Sequence, residues 1–218
     1  MKPRFAPSLM CLDWNRAGEQ ITILDQYSDA YHFDIMDGHF CPNLTLSPML
    51  LPHIHTTLPI EAHLMTTEPD RWIDACAEGG AKSITLHLET ITANAFRLFR
   101  KIRDLGCSSG LALCPSTPFA QAEPLLEEID MLTMMTVDIG FAGQPFLPAV
   151  LKKIQQASKY RSKHWLHFLL QADGGCNQST FTLLRRAGID QFVLGSALFT
   201  QSDDLNATYS KITGEVFE

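Results

Sequence analysis

The sequence predicts an α/β protein, a (β/α)₈ or TIM barrel that forms a single domain over residues 1–218. Three observations predict it: eight short apolar runs, segments with helical spacing between them, and 218 residues of which 45% are hydrophobic. Alternating strands and helices imply parallel strands joined by right-handed crossovers, and eight such units suit a barrel of this length. An open doubly wound sheet is the alternative, but the usual G-x-G-x-x-G motif is missing after the first strand.

The eight predicted strands are short apolar runs spaced along the chain. They occupy residues 5–8, 31–36, 60–65, 83–87, 110–113, 131–137, 167–172 and 192–194. Between them lie segments with apolar residues at helical spacing, such as Ala95, Leu98, Phe99 and Ile102. Gly80, Gly106 and Gly188 each lie where such a segment should end, so we expect left-handed C-caps there.

The second predicted strand is the most informative segment of the chain. It is followed by Asp37-Gly38, a strong turn signal. Because side chains alternate between the two faces of a strand, His32, Asp34 and Met36 share one face. An imidazole and a carboxylate on one face of a buried strand are ligand types that bind metal ions.

Composition excludes several classes of partner. The formal net charge is −7 and Lys and Arg form no cluster, which argues against binding to nucleic acid. No apolar stretch approaches the roughly 18 residues needed to span a bilayer. The six cysteines form no C-x-x-C pair, and no secretory signal is recognisable at the N-terminus. We therefore expect a cytoplasmic protein with reduced thiols, no membrane association and a small-molecule partner.

Metal-ligating residue types recur at other strand ends, where barrel chemistry takes place. His63 lies near the end of the third predicted strand and Asp173 follows the seventh. Together with His32 and Asp34 they place two histidines and two carboxylates at one end of the barrel. Such ligands suit Zn²⁺, Fe²⁺, Co²⁺ or Mn²⁺ better than Ca²⁺, so the sequence predicts one divalent metal ion.

Each of these residues also has an ordinary structural interpretation. A single strand histidine is more often a hydrogen-bonded core residue, which is what we expect of His87 after the fourth strand. Metal ligation is favoured for His32 and His63, because a buried Asp34 or Asp173 costs several kcal/mol unless it is paired. No Lys or Arg lies in these motifs to pair with them. Methionines are common fillers of apolar gaps, so those near the site prove nothing alone.

Glycine-containing loops follow the last three predicted strands. Loops at this end of a barrel often bind phosphate, because backbone N–H groups and a helix N-terminus attract an anion. The alternative is that the glycines only permit tight turns. Their recurrence on consecutive strand ends favours phosphate, and the residues concerned are Gly140, Phe141, Ala142 and Gly143, then Gly174 and Gly175, then Gly195 and Ser196.

Seven motifs spread over nearly the whole chain resemble, in order, those of the ribulose-phosphate 3-epimerase family. They are PSL at 7–9, HFDIMDG at 32–38, PNLT at 42–45, HLM at 63–65, GFAGQ at 140–144, DGG at 173–175 and GS at 195–196. Finer details are similar to the D-allulose-6-phosphate 3-epimerase branch, namely MCLD at 10–13, NLTLSP at 43–48, ETI at 89–91, GFAGQPF at 140–146 and CNQ at 176–178.

The resemblance implies a barrel of the ribulose-phosphate-binding type and an isomerase that inverts C3 of a phosphorylated ketose through an enediolate. It implies that His32, Asp34, His63 and Asp173 bind the metal ion. Asp34 would act as base and Asp173 as acid, with the roles exchanged in the reverse direction. The implied substrate-binding residues are Ser8, Met36, His63, Met65, Met135, Gly140, Phe141, Ala142, Gly143, Gly174, Gly175, Gly195 and Ser196.

The branch resemblance implies conversion of D-allulose 6-phosphate to D-fructose 6-phosphate. The alternative is conversion of D-ribulose 5-phosphate to D-xylulose 5-phosphate, because the residues do not determine the distance from the reacting carbon to the phosphate. A decarboxylase is disfavoured, since the Asp-x-Lys-x-x-Asp array of such barrels is missing. A non-catalytic phosphosugar-binding barrel is disfavoured by the intact Asp34 and Asp173.

One departure from the family pattern affects the loop after the sixth strand. Ile139 stands where the family usually has proline, which removes a restraint on φ and is expected to alter closure of that loop. Every implied ligand is in place. Apolar outer helices also lead us to expect a homo-oligomer.

Overall fold

In a computed structural model, which describes residues 2–199 and 204–217, the strands form one parallel barrel. Eight strands follow one another in the order β1-β8-β7-β6-β5-β4-β3-β2, and every pair is parallel. The predicted (β/α)₈ barrel is confirmed. The strands are β1 Arg4–Pro7, β2 Tyr31–Met36, β3 Ile60–Met65, β4 Ser83–His87, β5 Ser108–Leu113, β6 Met131–Met135, β7 Leu169–Asp173 and β8 Gln191–Leu194.

Some strand bounds differ from the prediction. The predicted bounds followed runs of apolar residues, whereas the observed strands extend only as far as their backbones pair. The bounds of β2, β3 and β4 agree with the prediction. β5 begins earlier, because the polar Ser108 and Ser109 pair with β4. β6 ends earlier than predicted, because Val137 is buried against Gly174 rather than by strand pairing. β7 extends to Asp173, which pairs with Met135.

Helices connect most strands, as the alternation predicts. They are α1 Ala17–Leu24, α2 Asp70–Glu78, α3 Leu88–Ile91, α4 Ala95–Asp104, α5 Val150–Lys163, α6 Phe181–Ala187, α7 Ser196–Phe199 and α8 Leu205–Phe217. None of these described helices is long and apolar enough to cross a membrane. The expected left-handed glycines are present, with φ of 102° at Gly80, 78° at Gly106 and 113° at Gly188.

The connecting helices at two crossovers are 3₁₀ helices. β2 and β3 are joined through the 3₁₀ helix Pro48–His53, and β5 and β6 through the 3₁₀ turns Phe119–Gln121 and Glu123–Leu125. Both connections contain prolines, which lack the N–H that an α-helix interior requires. At these two connections the described residues between the strands therefore form 3₁₀ rather than α-helices.

β1 and β2 lie at the two ends of the strand order and meet at a seam. These strands share only an isolated parallel bridge between Ser8 and His32, whereas neighbouring strands elsewhere share continuous ladders. The chain thus nearly closes the barrel. Ser8 and His32 are brought together at the seam, where Ser8 directly follows β1 and Asp34 lies two residues beyond His32 on β2.

We predict that Gly110→Ala destabilises the barrel. A Cβ at Gly110 of β5 would lie 2.1 Å from Oγ1 of the buried Thr85 on β4. Relief of this contact requires movement inside a packed sheet, so the free energy of unfolding should fall by about 1–3 kcal/mol in urea titrations.

Gly18→Ala is the matched control, because nothing lies within 4 Å of a Cβ there and the position is in α1. It should raise the free energy of unfolding by about 0.5–1 kcal/mol through helix propensity. Equal stability of the two variants would contradict this account of barrel packing.

Candidate active site

Four side chains from three strands meet inside the C-terminal half of the barrel. β2 carries His32 and Asp34, β3 carries His63, and β7 ends at Asp173. Asp34 and His63 are direct partners in the β2–β3 register, so their side chains point to the same side of the sheet. All four residues are at most 9% exposed.

Nitrogen and oxygen atoms of these side chains form a compact group. His32 Nε2 lies 3.1 Å from His63 Nδ1, 3.3 Å from Asp34 Oδ1 and 3.4 Å from Asp173 Oδ2. His63 Nδ1 lies 3.4 Å from each of the same two carboxylate oxygens. We call His32, Asp34, His63 and Asp173 the ligand group. The structure brings together all the residues that the resemblance implies as metal ligands.

The spacing of the ligand group fits one divalent ion. An ion bonded at about 2.0–2.1 Å to four tetrahedrally arranged N and O atoms places those atoms roughly 3.3–3.4 Å apart. The observed separations of 3.1 to 3.4 Å agree with this. Within the described residues, the recorded ion pairs of Asp34 and Asp173 are with histidines, and no Lys or Arg is among them. The donor set therefore suits a cation.

Electrostatics within the ligand group also favour positive charge. Burial alone would raise the pKa of Asp34, but the neighbouring His32 and His63 more than offset it and hold the pKa below its ordinary value. The pKa of Asp173 is likewise lowered, by the same histidines and against burial. Conversely, the two carboxylates overcome burial and raise the pKa values of His32 and His63. In the absence of a metal ion, these shifts favour protonated histidines beside ionised aspartates.

Ser8 connects the barrel seam to the ligand group. Its hydroxyl donates a hydrogen bond of 2.6 Å to Asp34 Oδ2, the oxygen that is not close to the histidines. Cys11 lies nearby in the 3₁₀ turn Leu9–Cys11. Burial, with the negative charges of Asp34 and Asp173, raises the pKa of Cys11 to about 12. The Cys11 thiol is therefore neutral and adds no charge near Asp34.

A cavity opens above the ligand group, and most of the predicted substrate-binding residues line it. Asp34 and Asp173 reach the cavity wall, whereas His32 and His63 lie outside it. His63 was predicted to contact substrate, and the structure places it, fully buried, below the wall. The predicted residues on the wall are Ser8, Met36, Met65, Met135, Gly140, Phe141, Ala142, Gly143, Gly174, Gly175, Gly195 and Ser196.

Other wall residues were missed by the sequence reasoning. Most of these residues directly follow a strand or lie next to a predicted residue in the sequence. Their place at the strand ends is the signal that could have identified them. They are Met10, Cys11, Val137, Asp138, Ile139, Gln144, Cys176 and Val193.

Methionines form an apolar side of the cavity. Met36 and Met65 are direct partners in the β2–β3 register and pack with Cys41. Ile139 packs against this cluster, so the residue that replaces the family's usual proline contributes apolar surface. Its effect on loop closure stays a prediction.

The loops after β6, β7 and β8 meet at one edge of the cavity. Gly174 has a φ of 100°, and a Cβ there would lie 2.3 Å from Val137 Cγ2, so only glycine fits. A Cβ at Gly143 would lie 3.8 Å from Ser196 Oγ, which places the first and last of these loops side by side. The phosphate-binding role of this edge stays a prediction.

A second polar cluster was not anticipated as part of the site. His87 is hydrogen-bonded in the core, as expected, and its partners are His63 and Glu89, with Cys114 nearby. Burial lowers the pKa of His87 to about 4, so this imidazole is neutral at neutral pH. No motif of the chain pointed to Cys114, because its contact depends on the pairing of β4 with β5.

Comparison with known proteins identifies close sequence relatives. Residues 4–199 match the model of the ribulose-phosphate 3 epimerase family. The chain is 36% identical over 215 residues to the ribulose-phosphate 3-epimerase of Bacillus subtilis, covering 97% of this chain and 98% of that protein. The ribulose-phosphate 3-epimerase of Escherichia coli K12 is 35% identical over 215 residues, covering 97% and 93%.

Solved structures with little sequence similarity share the fold. A mutant tryptophan synthase alpha-subunit from Pyrococcus furiosus superposes with a TM-score of 0.71 at 13% identity, covering 98% of this chain and 97% of that one. Thiamine phosphate pyrophosphorylase from the same organism gives a TM-score of 0.66 at 15% identity, covering 100% and 98%. At such identities these structures support the barrel alone.

We predict that Zn²⁺ binds more tightly as pH rises from about 6 to 8. Metal ligands must be unprotonated, and the raised pKa values of His32 and His63 keep protons in the metal-free site above the ordinary histidine range of about 6.5. Those protons leave as pH rises, so the dissociation constant measured by chelator competition should fall. A dissociation constant independent of pH would contradict these electrostatics.

Proposed function

The chain belongs to the ribulose-phosphate 3-epimerase family, and from this premise we propose that it interconverts D-ribulose 5-phosphate and D-xylulose 5-phosphate with one bound divalent metal ion. It is an isomerase, an epimerase that acts on carbohydrates. The observation that supports the proposal most directly is the ligand group, with its separations of 3.1 to 3.4 Å, beside a cavity edged by glycine loops.

The choice of a five-carbon substrate rests on the named relatives. The Bacillus subtilis and Escherichia coli proteins, and that of Buchnera aphidicola at 38% identity over 202 residues, 91% of this chain and 88% of that protein, are all named ribulose-phosphate 3-epimerase. These names favour the five-carbon alternative over the D-allulose 6-phosphate that the finer motifs led us to expect.

Asp34 and Asp173 are the proposed catalytic residues. Inversion of C3 beside a ketone requires removal of a proton from one face and delivery of a proton to the other. The two aspartates lie on β2 and β7, which are not neighbours in the barrel, and both reach the cavity wall. Asp34 takes the C3 proton in one direction and Asp173 donates one to the opposite face. The reverse reaction exchanges these roles.

The surroundings of the aspartates serve the same reaction. Ser8 donates to Asp34 Oδ2 and holds that carboxylate in one orientation. Met36, Met65 and Met135 exclude water with polarisable apolar surface. A divalent ion bound by the ligand group would act as a Lewis acid and stabilise negative charge on the substrate oxygens.

We propose that the glycine loops after β6, β7 and β8 orient the substrate by binding its phosphate. Gly140, Gly143, Gly174, Gly175 and Gly195 leave backbone exposed on the wall. Backbone N–H groups in such loops bind phosphate. With the phosphate at this edge, the ketose would extend toward Asp34 and Asp173.

The proposal also includes location and assembly. All six cysteines are free, which agrees with a cytoplasmic location. Large apolar side chains such as Leu44, Met49 and Trp72 are exposed, which agrees with a homo-oligomer. We also retain a single domain over residues 1–218.

We predict that Asp34→Asn and Asp173→Asn each lower kcat for epimerisation by about 10²-fold or more, because an amide cannot accept or donate the C3 proton. Binding of the phosphorylated ketose, measured by calorimetry, should persist. Asp104→Asn is the matched control, because Asp104 is exposed on α4 and the same change there should leave kcat unaltered. Unchanged epimerisation in either active-site variant would exclude the two-base mechanism.

We predict that kcat/KM for D-ribulose 5-phosphate exceeds that for D-allulose 6-phosphate at least about tenfold, a difference of roughly 1.4 kcal/mol. Steady-state assays with Zn²⁺, Fe²⁺, Co²⁺ or Mn²⁺ added to chelator-treated protein would measure it. The opposite preference would change the substrate while leaving the epimerase chemistry intact, and full activity without any metal ion would remove the metal from the proposal.

A further inference from the structure

A buried chain of hydrogen bonds extends from the ligand group through His63. His63 Nδ1 faces Asp34 and Asp173, and its other ring nitrogen, Nε2, lies 2.9 Å from His87 Nε2. The two ring planes lie at 18° to each other with centroids 5.0 Å apart, so the rings are nearly coplanar and meet edge to edge, as a hydrogen bond between ring nitrogens requires. His87 Nδ1 in turn lies 3.2 Å from Glu89 Oε2. Neither histidine is exposed to solvent.

Glu89 is held firmly at the far end of this chain. Its second oxygen, Oε1, accepts a hydrogen bond of 2.9 Å from the backbone N–H of Cys114 and another from the hydroxyl of Thr117. The buried Lys153 of α5 fixes that loop, donating to the backbone oxygens of Cys114, Pro115 and Thr117 at 2.6, 3.1 and 3.2 Å. Both oxygens of the Glu89 carboxylate are therefore engaged.

Counting protons gives only one consistent arrangement when His63 Nδ1 faces a cation. Nδ1 then offers its lone pair, so the ring proton lies on Nε2 and is donated to His87 Nε2. His87 Nε2 accepts that hydrogen bond and therefore carries no proton, so the ring proton of His87 lies on Nδ1 and is donated to Glu89. An ionised carboxylate only accepts hydrogen bonds, so the chain ends there without conflict.

His32 has no comparable support. Its Nδ1 is buried and has no hydrogen-bond partner in the described part of the chain. Of the two histidines in the ligand group, only His63 thus has its tautomer and ring orientation set by further side chains. Such outer contacts commonly change metal affinity by about 10–100-fold.

We propose that His87 and Glu89 are positioning residues that keep the unprotonated Nδ1 of His63 directed into the ligand group. This inference rests on the proposed function only in requiring that the ligand group bind a divalent ion. Neither residue lines the cavity, so both act through His63 rather than on the substrate.

The same proton count excludes a second ion on His87, Glu89 and Cys114. Cys114 Sγ lies 3.5 Å from His87 Nδ1, so these three side chains could otherwise surround a metal ion. An ion on His87 Nδ1 would move the ring proton to Nε2, which would then oppose the Nε2–H of His63 at 2.9 Å. With the first ion bound, the protein should therefore bind one ion and not two.

The test is the affinity of the full-length metal-free protein for Co²⁺ and Zn²⁺, measured by chelator competition without substrate. In Glu89→Gln the amide oxygen keeps accepting from the backbone N–H of Cys114, so the NH₂ group faces His87 Nδ1 and favours the opposite tautomer of both histidines. We expect the dissociation constant to rise by about 10–100-fold and the visible Co²⁺ spectrum to change. Glu19→Gln, the same change at an exposed position on α1, should alter neither.

Two variants of His87 separate positioning from packing. His87→Gln retains an acceptor that can reach His63 Nε2, whereas His87→Leu removes it. We expect His87→Gln to stay within a few-fold of the parent dissociation constant and His87→Leu to lose about 10–100-fold. The thermal midpoint of each metal-free variant shows whether the fold is intact.

Three results would overturn the inference. The first is an unchanged dissociation constant and Co²⁺ spectrum in Glu89→Gln and His87→Leu. The second is equal loss of metal affinity in His87→Gln and His87→Leu. The third is binding of two Zn²⁺ ions per chain with one abolished by Cys114→Ser. Failure of the parent protein to bind any of these ions would instead overturn the proposed function, and the inference with it.

Discussion

The constraint on which the rest of the site depends is a pair of buried carboxylates, Asp34 and Asp173, whose ion pairs in the described part of the chain are with histidines and not with lysine or arginine. Asp34 and Asp173 each approach both His32 and His63 within 3.3 to 3.4 Å. Burying such charges costs several kcal/mol each unless positive charge compensates them. The compensation is either protons on the histidines or a cation among all four side chains. Metal binding and protonation therefore compete for one set of atoms.

The barrel brings these side chains together through the register of its strands and the alternation of side chains along each strand. Parallel pairing places Asp34 beside His63 and Met135 beside Asp173, so neighbouring strands direct the required side chains into one interior. Below this level, Glu61 accepts hydrogen bonds of 2.8 to 2.9 Å from the amides of Gln171 and Gln191. The interior thus holds two polar groups one above the other, and of these the ligand group reaches the cavity wall through Asp34 and Asp173.

Sequence reasoning was most successful where one local pattern determined the outcome. The alternation in β2 and the strand-end positions of His63 and Asp173 predicted all four members of the ligand group. Prediction from the sequence failed where the end of a strand depends on packing against a distant segment of the chain. The apolar Val137 packs on Gly174 and is not part of β6. Its apolar side chain therefore led the sequence prediction to extend β6 too far.

The amino-acid sequence by itself determined the barrel, the family and the residue types that converge at the strand ends, because period, turn chemistry and motifs are local properties. Only the tertiary structure decided that His63 is buried below the cavity wall, that Ser8 reaches Asp34 across the seam, and that hydrogen bonds connect His63 to Glu89 through His87. Ser8 and Asp34, like His63 and His87, are more than 20 residues apart in the chain. The first contact depends on the approach of β1 to β2 at the seam and the second on the pairing of β3 with β4, and no local pattern encodes either.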